Sequence, residues 1–397
     1  MRDGWREEKL GEMVLVERTR MDPRDHPDEL LTHFSIPAFD DSKTPIVEPG
    51  SAIGSQKFEV RNEAVLLSLL NPRISRVWKV SGSPAAICST EFAVLVPKPE
   101  LVDIDFLFAL LGSSTFQEKL RQVETGSTNS RKRVPPASLG ALPLLWPPLS
   151  EQRRIADLVV HFDEVIARVQ EAEVPLAQAR TSLILDLLSE TRAQKQGWRE
   201  GKLGEYAETS KDRWDPKVSS DIQTYVALEH LTPGSRQILQ WADSDSVESQ
   251  KTRFTRGEVL FGKLRPYLRK VSQASFDGVC STDILVFRSR DFAALDPTYL
   301  FYLLSSEKTI EYSVANSAGT RMPRISEKRL SEMPVVLPPL AEQERIASVI
   351  SEVDTAIDAQ RTQREELEKL RNGLLSVLLS GEHEIPESYD RFLEEAA

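Results

Sequence analysis

The sequence predicts an α+β chain: two similar mixed α/β domains, each followed by one long helix, with the two helices wound into a coiled coil. Three observations predict it. The chain of 397 residues repeats itself at a separation of about 192. Each copy opens on short runs of β-branched and aromatic residues, which favour strands. Each copy closes on roughly forty residues whose apolar side chains recur at heptad spacing.

The repeat is written in words. "GWREEKLGE" from Gly4 returns as "GWREGKLGE" from Gly197, and "CSTEFAVLV" from Cys88 returns as "CSTDILVFR" from Cys280. "PPLSEQRRIADLV" at 147–159 returns as "PPLAEQERIASVI" at 338–350, and "GSTNSRKRV" from Gly126 has a looser echo in "GTRMPRI" from Gly319. The period far exceeds the roughly 20–50 residues of a solenoid unit and has the size of a domain. The chain therefore divides into a first mixed domain (1–149), a first helix (150–194), a second mixed domain (195–340), a second helix (341–381) and an acidic tail (382–397).

In each mixed domain the cysteine word reads as a strand. "DIDFLFALLGSSTFQEKLRQ" and "DPTYLFYLLSSEKTIEYSV" follow it as helices, with Asp103 and Asp296 as N-caps whose carboxylates accept otherwise unpaired backbone N–H groups. The prolines of "LPLLWPPL" and "MPVVLPPL" remove donors and mark a boundary. Beyond it, Ser150 reads as the cap of the first helix, with Glu151 and Gln152 in its first turn. The first helix carries Ile155, Phe162, Val169, Leu176 and Leu183 every seven residues. In the second, Ile346, Val349, Val353, Ala356, Leu367, Leu370, Leu374 and Val377 occupy a and d positions, with Gln360 and Gln363 as polar members. Pro175 removes a helical donor and clashes with the preceding turn, which predicts a bend or break near Glu171–Pro175. Asn372-Gly373 and Gly381 punctuate the far end of the second helix.

Composition narrows the function. Hydrophobic residues make up 40% and charged residues 28%, as in a soluble globular protein. No run of 18 apolar residues spans a bilayer, and "MRDGWREEKL" lacks a signal-peptide core; a cytoplasmic location is expected. Cys88 and Cys280 sit at matching places, one per copy, and read as small buried side chains at a strand start rather than as a disulfide or thiolate metal site. The net charge of −11 resides entirely in three segments: −3 in 150–194, −3 in 341–381 and −5 in the tail. The rest is neutral, with 39 basic and 39 acidic residues, and is locally uneven: residues 251–271 hold seven Lys/Arg against one Glu, and 131–133 read "RKR". Such local patches, not the total, govern phosphate binding.

The words taken together resemble a known family. "LPPLAEQERIASVISEVDTAI" with a downstream "LEKLRNGLLSVLLSGE", the "GWREEKLGE" opener and the Gly-Ser-Thr or Gly-Thr loop ahead of "PPL", each in order and twice, are similar to the specificity (S) subunits of type I restriction-modification systems, over the chain to about residue 381. The resemblance implies two target recognition domains, each reading half of a bipartite double-stranded DNA target. It implies that the helices pair antiparallel about a pseudo-twofold axis. It also implies docking of two modification (methyltransferase) subunits and of restriction subunits, which would carry methylation and cleavage together with S-adenosylmethionine, ATP and Mg; no cofactor is expected in this chain. The first copy departs in a loop two residues longer, with two added prolines, and in Pro175.

The chemistry agrees with a binding protein. His26, His33, His161, His230 and His383 are scattered without ligand spacing. There is no Gly-rich phosphate loop or nucleophile elbow, and "WPPL" and "LPPL" lack the polar member with which a methylation motif holds an amine. DNA contacts are expected from basic and amide residues in loops, since Arg and Lys neutralise phosphates and Arg forks onto guanine. In the first copy these are Arg73, Arg76 and Lys79, then Ser127, Thr128, Asn129, Arg131, Lys132 and Arg133; in the second they are Lys263, Arg265, Tyr267, Arg269 and Lys270, then Arg321 and Arg324. Two rival classes stand beside this one: a non-catalytic assembly scaffold with coiled-coil partner binding, and a single-chain methyltransferase.

Overall fold

The computed structural model of the chain describes residues 4–126, 132–187, 197–218 and 223–390. The chain forms two compact units. The second is one continuous stretch, residues 170–362; the first joins residues 1–169 to residues 363–397, so each unit contains one mixed domain and a half of each long helix.

Both units follow one plan. In the first, a four-stranded antiparallel sheet runs in the order Val14–Glu17, Phe92–Pro97, Ala64–Ser68, Val77–Val80. A five-stranded sheet runs Arg20–Met21, Lys57–Glu59, Ala86–Ser89, Leu30–Phe34, Ile46–Pro49, its one parallel pairing between Leu30–Phe34 and Ala86–Ser89. Arg6–Lys9 pairs with Pro143–Trp146 as a separate ribbon. The second unit repeats this order strand for strand, from the ribbon Arg199–Lys202 with Pro334–Leu337 to the parallel pair Thr224–Val226 with Gly278–Cys280. The cysteine word thus holds two strands, not one. Cys88 lies in the five-stranded sheet and Phe92–Pro97 in the four-stranded one, with a turn between them. Both cysteines are free and fully buried, and burial pushes their thiols up to about 12, which keeps them unreactive.

Between the two sheets of the first unit lies a core of Phe34, Phe58, Leu66, Trp78 and Phe92; Phe254, Leu260, Cys280 and Val286 fill the same place in the second. Helices Ile104–Gly112 and Pro297–Ser305 cover the other face of the four-stranded sheets. Their caps are as expected: the Asp103 carboxylate accepts from the N–H groups of Asp105 and Phe106, and that of Asp296 from Tyr299 N–H.

The long helices run Leu149–Leu187 and Leu340–Leu379. Ser150 is already inside the first turn, so the cap expected there is absent. Asn372-Gly373 lies within the second helix, and Gly381, at φ +74°, closes it. The first helix continues through Pro175 without a break, contrary to the expected one. Within each unit the helical halves pack antiparallel. In the first, Ile155 and Val159 share a core with Leu375, Leu378 and Leu379; in the second, Ile184 and Leu187 share one with Ile346, Ala347 and Ile350. All five first-helix positions expected to face inward are sheltered. In the second helix Ile346 is buried and Val349, Val353, Ala356, Leu367 and Leu374 are half-buried, as expected, but Leu370 is 58% exposed and Val377 40%, while Leu375 and Leu378 are buried.

Polar residues also take places between the helices. Arg371 turns inward and grips Asp163 through two bonds of 2.6 and 2.9 Å. In the second unit Arg180 pairs with Asp354, whose other oxygen accepts from the Tyr302 hydroxyl at 2.7 Å. Asp163 and Asp354 are 191 residues apart, as are Arg180 and Arg371, so the two pairs are repeats of each other. Their surroundings differ. The Asp354 side chain is 7% exposed and that of Asp163 is 45% exposed.

The twin "EQ" words also receive a structural reason. Gln152 is buried; its amide donates to the carbonyls of Leu101 and Pro147 and accepts from Asp103 N–H. Gln343 repeats all three bonds with Ala294, Pro338 and Asp296. The glutamine in both words therefore ties the start of the long helix to the cap of the sheet-packing helix, Asp103 or Asp296, within its own unit. Residues 382–390 of the tail fold back on the first unit. Ile385 is buried, Tyr389 Oη donates to Asp157 at 2.6 Å, and Arg154 forks onto Asp390.

Candidate nucleic-acid interface

In each unit two loops are knitted into one platform. The first loop follows the second core strand of the four-stranded sheet, "LNPRISR" from Leu70 and "LRPYLRK" from Leu264. The second is the glycine loop before "PPL". They meet through isolated bridges, Leu70 with Arg133 and Leu264 with Arg324. Backbone bonds repeat across the units: Asn71 N–H donates to Lys132 O at 2.8 Å, as Arg265 N–H does to Pro323 O at 2.7 Å. Val134 N–H donates to Leu69 O, as Ile325 N–H does to Lys263 O.

This stitching forces an unusual turn. Asn71 and Arg265 both sit at φ +50°, each followed by a proline, and Arg269 sits at φ +54°. Asparagine tolerates the left-handed region; for arginine it costs roughly 1–2 kcal/mol, a strain of the kind stored at functional surfaces. The turn pushes side chains outward. Ile74 in the first unit and Tyr267 and Leu268 in the second are exposed, as is Met322 on the second unit's glycine loop.

The expected contact residues separate into those the platform presents and those used elsewhere. Arg73 is exposed on the first tip. Arg133 is exposed beside it, paired with Glu91 at 2.6 Å. Lys132 is bonded to Glu124 in the same loop. Ser127, Thr128, Asn129 and Arg131 lie outside the described residues. In the second unit Arg265, Tyr267 and Arg321 are exposed. Arg269 is exposed and pairs with Glu307 at 2.6 Å; Arg324 pairs with Asp283 at 3.2 Å.

Three more residues of the expected clusters are held by partners, and of these Arg76 alone is buried. Arg76 is 5% exposed and forks onto Asp40 at 2.6 and 2.8 Å, holding that carboxyl below its ordinary range. Lys79 is bonded to Asp105 at the head of a packing helix. Lys270 donates to the Leu228 carbonyl at 2.8 Å. Spacing alone put them with their neighbours, but each has a partner tens of residues away. Two cations were missed: Lys211 and Arg213, in "SKDRW", enter the base of the second platform beside Lys263 and Arg324. Their signal was alternation, since residues two apart on an extended segment share a face. Among the described residues no group of His, Cys, Asp and Glu could hold a metal ion, and no helix is long and apolar enough to cross a membrane.

Comparison with known proteins converges on one kind of protein. Residues 195–369 match the family model described as the type I restriction modification DNA specificity domain. The specificity subunit of the type I restriction enzyme EcoDI from Escherichia coli is 33% identical over 144 residues, which span 34% of this chain and 31% of that protein. A putative type I restriction enzyme specificity subunit, MjaX, from Methanocaldococcus jannaschii is 22% identical over 96% of this chain and 93% of its own length. Among solved structures, a chain from a study of complex assembly and conformational transition of the type I R-M system covers 96% of this one with a TM-score of 0.54 and 21% identity. The S subunit of the type I system of M. genitalium covers 94% with a TM-score of 0.56 and 12% identity. At those identities the structural likeness speaks for the fold alone.

Proposed function

We propose that the chain is a specificity subunit of a type I restriction-modification system, a reading its similarities support, and that each of its units reads one half of a bipartite double-stranded DNA target. One observation carries this reading. The two platforms share a backbone frame, down to the left-handed residue before the proline, yet present different side chains at equivalent places: Arg73 against Tyr267, Ile74 against Leu268, Ser75 against Arg269. A common frame with different side chains is what two different half-sites require, because phosphate contacts position and base contacts specify.

In this reading Arg73, Ser127, Thr128, Asn129, Arg131 and Arg133 serve the first half-site. Lys263, Arg265, Tyr267, Arg269, Arg321 and Arg324 serve the second. Arg76, buried against Asp40, and Lys270, held by the Leu228 carbonyl, are left out; Lys79, exposed at its pair with Asp105, stays with the first half-site. The paired helices set the unread gap between the half-sites. Modification subunits, two per chain, and restriction subunits dock on the helical part and supply methylation and cleavage, with S-adenosylmethionine, ATP and Mg held there and none of them in this chain. The shared helix-start words have a structural reason, since Gln152 and Gln343 are buried in their own units; two-to-one stoichiometry rests on the duplication.

The test is methylome sequencing of cells with and without the gene. The expected result is loss of one split motif, two short read segments around a fixed gap. No change in methylation, or loss of a continuous motif, overturns the proposal.

A further inference from the structure

At the base of the second platform a cleft of about 380 Å³ opens between the four-stranded and five-stranded sheets. Lys211, Arg213, Lys263 and Arg324 enter it, with Thr252 and Glu327. Two of the four cations are neutralised locally: Lys211 by Glu327, and Arg324 by Asp283. The other two form no ion pair, although Arg213 lies within electrostatic reach of Glu327. Arg213 donates only to the buried Thr252 hydroxyl, and Lys263 forms no ion pair among the described residues. Four cations therefore face two carboxylates, Glu327 and Asp283, around a half-enclosed space with buried hydroxyls, an excess of two positive charges.

We infer that this cleft seats a phosphate ester, one backbone phosphate of bound DNA, and that the second unit alone has such a seat. The inference rests on the proposed DNA reading. Continuity favours DNA over a free phosphate compound: Lys263 and Arg324 belong both to the cleft and to the platform, Lys263 O accepting from Ile325 N–H and Arg324 bridging to Leu264. A strand crossing the platform tip passes over the cleft mouth. The first unit keeps Arg20 and Arg133 at the places of Arg213 and Arg324, but Leu69 replaces Lys263 and Phe58 replaces Thr252, and both are buried in apolar cores. The frame is preserved and the seat is filled.

Lys263→Gln combined with Arg213→Gln tests it in the full-length chain, once methylation mapping has given the target. The salt dependence of binding to the split duplex should flatten by about 0.9 in log–log slope, the value of one phosphate. A scan of single neutral methylphosphonates across the second half-site should find one position that weakens the wild-type chain and leaves the double variant unaffected. No such position should depend on these residues in the first half-site. An unchanged slope in a variant that still reads its second half-site overturns the seat alone. So does a thermal stabilisation of the wild type by inorganic phosphate or ATP that the variant lacks, which would make it a small-molecule site. Failure of the wild-type chain to prefer any split duplex overturns both this inference and the proposed function.

Discussion

Arg180→Ala and Arg371→Ala remove the same residue from the two copies of one ion pair, and they should differ several-fold in cost. In the second unit the Asp354 side chain is 7% exposed and that of Arg180 14%. Removing the guanidinium leaves a buried carboxylate with one remaining strong donor, the Tyr302 hydroxyl at 2.7 Å. Breaking a buried pair from one side costs about 3–5 kcal/mol; the tyrosine bond puts this case at the low end, about 3 kcal/mol. That is roughly a hundredfold in the folding equilibrium. In the first unit Asp163 is 45% exposed, and water replaces Arg371. Exposed pairs contribute about 0–1 kcal/mol. With a urea slope of about 3 kcal/mol/M for a unit of this size, Arg180→Ala should lower the midpoint of the second unit by about 1 M, and Arg371→Ala that of the first by no more than about 0.3 M. Hydrogen-exchange mass spectrometry across a urea series separates the units through peptides from 340–362 and 363–379. Adding Asp354→Ala to Arg180→Ala should restore part of the loss, because the orphaned charge is gone. Equal shifts in the two units, or no recovery, would refute the argument from burial.

Three further outcomes are expected. Lys263→Ala, Arg265→Ala and Arg269→Ala together should weaken recognition of one half-site only; methylation mapping that shows both halves altered equally would count against two separate readers. Seven residues added to each long helix, between its two ion-pair positions, keep the heptad and add about 10 Å at 1.5 Å per residue. The unread gap should then grow by about three base pairs with the read bases unchanged, and an unchanged gap on methylation mapping would mean the helices are no ruler. The tail clasp should open in acid. The Arg154 guanidinium holds the Asp390 carboxyl below its ordinary value of 3.8, so its contribution is present above the unfolded pKa and is lost as pH falls through the lower, folded one. Proteolysis within residues 382–390 should therefore accelerate below about pH 4, the unfolded carboxyl value, and Asp390→Asn should show that faster cleavage already at pH 7. Cleavage of the variant at the wild-type rate would show the pair is idle.

What the sequence disclosed was whatever is local or repeated. The duplication, the long helices and the caps at Asp103 and Asp296 depend on neighbours a few residues away, and they stand in the structure as expected. The seam of the second helix read correctly except at Leu370 and Val377; Arg371 and Asp354, which a count of apolar residues passes over, take inward places through partners on the other helix. The same limit applies to the site. Arg76 looked like its neighbour Arg73 until Asp40, 36 residues upstream, was brought against it. Lys211 and Arg213 carried no cluster signal, and only the packing of two sheets brings them to Lys263. Gln152 and Gln343 were legible as a repeated word but not as a clamp, since their carbonyl partners lie about fifty residues earlier.

The division of the chain also sets an order of events during synthesis. Residues 170–362 form a unit by themselves, whereas residues 1–169 are completed by residues 363–397. The first sheets and the start of the first helix leave the ribosome with Ile155 and Val159 lacking the partners Leu375 and Leu378. More than two hundred residues must be added before those partners exist, roughly 10–40 s at about 5–20 residues per second. The later-made unit can therefore finish folding while the earlier-made one still shows an apolar helix face, and a stop codon placed directly after residue 362 leaves a complete second unit attached to an unfinished first.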